Sequence, residues 1–145
     1  MLRQAVLILT GILLLISPSR ADTVHIPLLF KPAAAPTPQP VAHIVIAALI
    51  YEGRDEQVLV RNEGSAAQDL NGWRLHSLPD QWFSFPTGYV LQPGASVRVH
   101  SGPDAVHAPP GDLLWTRQYI WNNEADAATL YNDRAEIVDQ WSYGS

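Results

Sequence analysis

Asp69-Leu70-Asn71-Gly72-Trp73-Arg74-Leu75, then Phe83-Ser84-Phe85-Pro86-Thr87-Gly88, then Leu91-Gln92-Pro93-Gly94, place three turn signals among aromatic and aliphatic residues. Asn-Gly and Pro-Gly pairs reverse a chain because Gly accepts positive φ and Pro presets φ near −65°. The same grammar continues through Trp121-Asn122-Asn123-Glu124-Ala125-Asp126, Leu130 and Val138-Asp139-Gln140-Trp141-Ser142-Tyr143-Gly144. Short apolar or alternating runs between tight turns are the pattern of strands.

Working outward from these turns, the runs can be placed one by one. Residues 43–51 form a continuous apolar run, suited to a core strand or one covered on both sides. Residues 56–62 alternate, with Val58 and Val60 on one face and Gln57, Leu59 and Arg61 on the other. Residues 69–76 carry Leu70, Trp73 and Leu75 around Gly72, where a bulge or a close backbone approach is predicted. Residues 82–85 are a short aromatic strand stopped by Pro86, since Pro lacks the donor a ladder needs. In residues 96–100 Val97 and Val99 point inward, Arg98 and His100 outward. Residues 113–116, 128–132 and 136–143 bring the total to about eight strands. No segment sustains a period of 3.6, so the fold class is all-β.

The order and spacing of these signals resemble the lamin tail domain, an immunoglobulin-like β-sandwich, over residues 42–144. The resemblance implies a framework made of Asn71, Gly72, Trp73, Pro86, Pro93, Gly94, Trp121, Asn122, Asn123, Asp126, Asp139 and Tyr143. The family usually has Gly where Ala125 stands and often Gly near Ala135, so two turns depart from its pattern. It is found at the end of nuclear lamins and in many secreted bacterial proteins. There it commonly accompanies nucleases, phosphatases and other hydrolases, as an adhesion or targeting accessory. Residues 43–145 number 103, close to the ~100 of an immunoglobulin-type sandwich.

The N-terminus implies a destination. Arg3 gives a positive start, residues 5–16 are uncharged and mostly apolar, and Ser19 and Ala21 are small residues at a cleavage site. This is the layout of a secretory signal peptide covering residues 1–21. The apolar run is shorter than the roughly 20 residues that span a bilayer, which favours cleavage over anchoring. Residues 22–42 hold Pro27, Pro32, Pro36, Pro38 and Pro40 and read as an extended linker. Within it, Val24-His25-Ile26-Pro27-Leu28-Leu29-Phe30-Lys31 is apolar for a spacer. That patch suits an added edge strand, a contact with the domain, or the tail of a processing signal. No Cys is present, so neither a disulfide framework nor a lipoprotein anchor is available. The expected product is a secreted monomer whose fold rests on its hydrophobic core.

Charge and motif content limit what that product does. Removing residues 1–21 takes away Arg3 and Arg20, two of nine basic residues, and none of the 14 acidic ones. Duplex DNA is therefore an unfavourable partner, because its binding depends on neutralising phosphates. His25, His43, His76, His100 and His107 form no metalloprotease pattern, and no Gly-x-Ser-x-Gly or phosphate-cradling loop occurs. His76 and His100 are expected as exposed strand-end residues, with Asp80 and Asp104 near enough for a chance pairing. The Asn- and Asp-rich turns at 122–126 and 132–133 offer oxygens to calcium. Such residues equally favour turns through bonds to their own backbone, and the EF-hand spacing is absent. Of the five Trp, Trp73 and Trp141 read as core, while Trp82 and Trp115 lie in short strands that leave their burial open. The reading is a non-catalytic binding, adhesion or scaffolding module with no cofactor and no metal. Its partner is expected to be a protein or a cell-envelope component. A small hydrolase, or a carbohydrate-binding module using exposed Trp, are the alternatives.

Overall fold

The computed structural model describes residues 37–144 apart from Pro79. The expected signal peptide, the apolar patch at 24–31 and most of the expected linker lie outside the described residues. Ten strands follow in order: β1 (Ile44–Ile50), β2 (Glu56–Asn62), β3 (Gln68–Asp69), β4 (Arg74–Ser77), β5 (Gln81–Ser84), β6 (Val90–Leu91), β7 (Ser96–Ser101), β8 (Asp112–Leu114), β9 (Asp126–Tyr131) and β10 (Ile137–Tyr143). They build two four-stranded sheets, ordered β1-β2-β7-β8 and β10-β9-β4-β5, and a small ribbon of β3 and β6. Every pairing is antiparallel except β7 with β8. The protein is an immunoglobulin-like all-β sandwich.

The inward residues are those that alternation assigns. Val58, Val60, Val97 and Val99 line the first sheet, and Leu75, Phe83, Ala128 and Leu130 the second, all buried. Leu70, Trp73, Phe85, Leu91 and Trp121 join the same core from the connecting segments. Between the sheets' edges, β1 lies beside β10. The Asp139 carboxylate accepts a hydrogen bond from Ile46 N at 2.7 Å, at the irregularity that displaces the β1 register after Ile46. Farther along, the Tyr51 and Tyr143 rings stack with centroids 3.8 Å apart. Side chains, rather than a continuous ladder, close this side.

Three expectations are corrected. The run 69–76 does not make one bulged strand. It divides into β3 and β4 at Gly72, whose φ of +77° forms a turn closed by Trp73 N donating to Leu70 O at 3.0 Å. The predicted close approach is present as well, since a Cβ on Gly72 would lie 3.2 Å from that of Asp133. With β6 as partner for β3, the described residues hold ten strands, where about eight were expected. Trp141 is 41% exposed instead of core. It pairs with Ala128, but β10 is an edge strand whose side chains overhang the second sheet. His100 stands on the outward side of β7 with Arg98, yet it is 3% exposed, because Asp55 and Asp112 close over it.

Buried polar residues hold the connections. Asn62 donates from Nδ2 to the carbonyls of Ala66 and Leu91, and its Oδ1 accepts from Gly64 N at 3.0 Å. This draws the 63–66 turn against the chain entering β1, so that a Cβ on Gly64 would sit 2.3 Å from Val41 O. Glu56, 1% exposed, accepts from Ser101 Oγ at 2.7 Å and from Ile120 N at 2.8 Å. Asp126 accepts from Ser77 Oγ, Leu78 N and Ala127 N at 2.7–3.0 Å.

Candidate functional site

The outward side of the second sheet follows from its register. Leu75 and Phe83 point inward, so Arg74, His76, Trp82 and Ser84 point out from β4 and β5. Pairing of Arg74 with Tyr131 and of His76 with Thr129 carries this face onto β9. Pairing of Tyr131 with Ile137 and of Thr129 with Gln140 carries it to β10.

Trp82 is the centre of that face, and it is 40% exposed. Its ring centroid lies 4.3 Å from that of His76 on the neighbouring strand and 5.4 Å from that of Tyr131 two strands away. To reach both, the indole must lie over β4 rather than stand off the sheet. The Arg74 guanidinium carbon sits 4.6 Å from the indole centroid, within cation–π range. The indole nitrogen donates to Asp80 Oδ1 at 2.6 Å, across the β4–β5 turn. Ring contacts and one strong hydrogen bond therefore fix the orientation of an aromatic surface that remains open to solvent. Ser84 is exposed beside it, and Gln140 Nε2 donates to Thr129 Oγ1 at 2.9 Å on the same face. The Asn-Gly turn and the short aromatic run mark these strands in the sequence. Nothing along the chain shows that Tyr131, more than 40 residues beyond, meets Trp82.

The framework residues implied by the resemblance build turns and core instead of gathering at this face. Asn71 N bonds to Asp69 Oδ1, and Trp73 and Trp121 are buried. Pro86 accepts from Tyr89 N, while Pro93 and Gly94 lie in a turn closed by Ala95 N donating to Gln92 O. Asn122 Oδ1 accepts from Glu124 N, Asn122 O accepts from the Tyr143 hydroxyl, and Asn123 stands exposed in the turn between. Asp139 and Tyr143 bind β10 to β1 as described. The side-chain oxygens of Asn122, Asp126 and Asn132 are engaged by backbone donors, Asn132 Oδ1 taking Arg134 N and Glu136 N.

The histidines do not meet the carboxylates expected near them. Asp80 bonds Trp82, and Asp104 forms an exposed ion pair with Arg54 at 2.7 Å. His100 instead lies between Asp55, 2.7 Å from Nδ1, and Asp112, 3.0 Å from Nε2. Each ring nitrogen thus faces one carboxylate, so a single side chain ties both segments to β7. The hydrogen bond from His100 holds Asp112 below the usual carboxylate range against the opposing effect of burial, with Arg98 assisting. The trio forms a latch between β7, β8 and the β1–β2 turn. Burial, more than the nearby acidic groups, raises the Tyr143 hydroxyl above its ordinary range. Among the described residues no three His, Cys, Asp or Glu side chains gather to hold a metal ion. Among them no helix is long and apolar enough to cross a membrane.

The arrangement invites comparison with known sandwiches. A family model described as the Lamin Tail Domain matches residues 37–145. Lamin-B3 of Xenopus laevis is 40% identical over 57 residues, which is 36% of this chain and 10% of that protein. The chain thus spans about a tenth of the length of that relative.

Proposed function

The chain belongs to the lamin tail domain family, and from that premise we propose that it is an exported, non-catalytic binding module for a protein or cell-envelope partner. The observation that carries this reading is the fixed, solvent-open Trp82 surface on an otherwise well-packed sandwich. A large aromatic left exposed and pinned in place loses little entropy on contact, which is how rigid aromatic anchors contribute to binding. The signal-like residues 1–21 support export. The formal charge of −5, or about −7 without residues 1–21, opposes approach to a polyanion and argues against DNA. The reading against a hydrolase rests on the lack of a nucleophile or phosphate motif in the sequence and on the use of His100, Asp112 and Asp126 in bonds between segments.

The test uses the protein in the form the cell holds. Intact mass is expected to show a chain beginning at or near Asp22. Envelope fractions are expected to retain it saturably, and Trp82→Ala to reduce that retention. A chain that keeps residues 1–21 in the membrane would refute export. Turnover of esterase, phosphatase or nuclease substrates by the pure protein would place it among the hydrolases instead.

A further inference from the structure

Among the described residues Ala135, in the β9–β10 turn, is the one residue other than Gly at positive φ, at +60°. Asn132 faces Glu136 there, Asn132 N donating to Glu136 O at 3.0 Å, and Asp133, Arg134 and Ala135 form the loop. Such three-residue loops end in the left-handed conformation, which Gly adopts without strain and Ala does not. Opening the loop releases that strain. The bonds from Arg134 N and Glu136 N to Asn132 Oδ1 that break with it are exposed, so water replaces them. The strand beyond is lightly held. No residue of β10 is buried, and only Tyr143 packs against the core. The β10 register slips directly after the turn, between Ile137 and Asp139. Beyond its ladder with β9, β10 is tied by Asp139 to Ile46 N, by Gln140 to Thr129, and by Tyr143 to Asn122 O and the Tyr51 ring.

None of these contacts requires β9 and β10 to belong to one chain. We infer that two copies of this protein exchange β10 through an opened 132–136 hinge, so that the partner fitting the β9 and β1 edges is a second copy of the chain. In the exchanged dimer each β10 remakes on the other copy the bonds it makes within its own, and the interface needs no new complementarity. What differs is the hinge, strained in the monomer and extended in the dimer, and short strained hinges favour exchange. The register supports the join. Tyr131 stands opposite Ile137 and Asn132 opposite Glu136, so the same ladder carried through two extended hinges sets Arg134 of the two copies opposite each other on the two-fold axis. Each Arg134 is then diagonal to the other copy's Glu136, within reach of a long side chain, and the two carboxylates offset the like charges on the axis.

Because the sequence holds no Cys, introduced thiols report the exchange directly. Ala127 lies opposite Ser142 in the ladder, a separation that a disulfide spans. The protein, in the form the cell holds, is made as Ala127→Cys and separately as Ser142→Cys. The two are mixed at high concentration in urea below the unfolding midpoint, returned to buffer and oxidised. A disulfide-linked pair is expected from the mixture and not from either variant alone, in an amount that rises with concentration. The double variant, oxidised first while dilute, is expected to bridge within one chain and to sediment as a monomer thereafter. Ala135→Gly relieves the closed turn of both copies and is expected to lower the dimer association constant about tenfold. Ala135→Pro, which bars positive φ, is expected to raise it. A mixture that stays unlinked while the double variant bridges readily would overturn the exchange. A pair formed equally by either variant alone would show a chance surface contact in its place, and a dimer indifferent to Ala135→Gly would overturn the strained turn as its cause.

Discussion

Replacing Glu56 tests whether buried polar anchors, and not the core alone, keep this cysteine-free sandwich folded. Glu56 opens β2 opposite Ser101 and is almost wholly enclosed. A single oxygen, Oε2, takes the Ser101 hydroxyl at 2.7 Å and Ile120 N at 2.8 Å, with Trp121 N more distant at 3.5 Å. In Glu56→Ala the Ile120 N–H and the Ser101 hydroxyl lose their acceptor, and each buried orphan costs about 1–3 kcal/mol. The expected destabilisation is therefore about 3–5 kcal/mol, including the small void left behind. Glu56→Gln keeps a carbonyl oxygen in place and loses only the charge, so about 1–2 kcal/mol is expected. Against a total stability of about 5–15 kcal/mol the alanine variant will be marginal, which makes the glutamine variant the better readout. Urea titration followed by Trp fluorescence gives both midpoints. An alanine variant within 0.5 kcal/mol of the parent would refute the assignment of Glu56 as the anchor of the 118–121 segment.

Trp73→Ala, which empties a buried indole site in the shared core, is expected to cost about 3–5 kcal/mol by chemical denaturation; an unchanged midpoint would contradict its burial. Ala135 has φ of +60° in the β9–β10 turn, a conformation that costs an L-residue roughly 1–2 kcal/mol. Ala135→Gly relieves this but frees the unfolded chain by about 0.5–1 kcal/mol, so a net stabilisation near 0.5 kcal/mol is expected as a higher thermal midpoint. The lowered Asp112 carboxyl fixes the sign of an acid effect: its contribution is complete above the ordinary carboxylate range and is lost as pH falls through its lower folded value. Asp112→Asn is thus expected to flatten the loss of stability below about pH 4. An unaltered acid limb would mean that the His100 latch is not formed in solution.

Alternation was enough to place most strands, because faces with period two are written directly into Val58-Leu59-Val60 and Val97-Arg98-Val99. It failed where side-chain parity and exposure part company. His100 has an outward parity, yet two carboxylates from other segments bury it, and no local pattern announces that Asp55 and Asp112 converge. Trp141 fails in the opposite sense: it lies on a core-facing register position, but at an edge strand there is no further strand to cover it. The Asn and Asp turn residues were legible because their chemistry is local, as the bonds within 122–126 and 132–136 illustrate. The aromatic surface was half legible. Trp82 stood out as uncertain, whereas its alignment with Tyr131 and Ile137 depends on strand order, which the sequence does not spell out.

The meeting of β1 and β10 has a kinetic side. The bond from Ile46 to Asp139 joins residues 93 positions apart, so the first strand of the sandwich is completed by the last. Folds dominated by such distant pairings close in milliseconds to seconds rather than microseconds, since loop-closure entropy must be met before the contact forms. During synthesis the seam cannot shut until the residues around Asp139 have left the ribosome. Chains stalled ahead of residue 137 are therefore expected to remain sensitive to protease, and chains in which residues 137–143 are free to pair to become resistant.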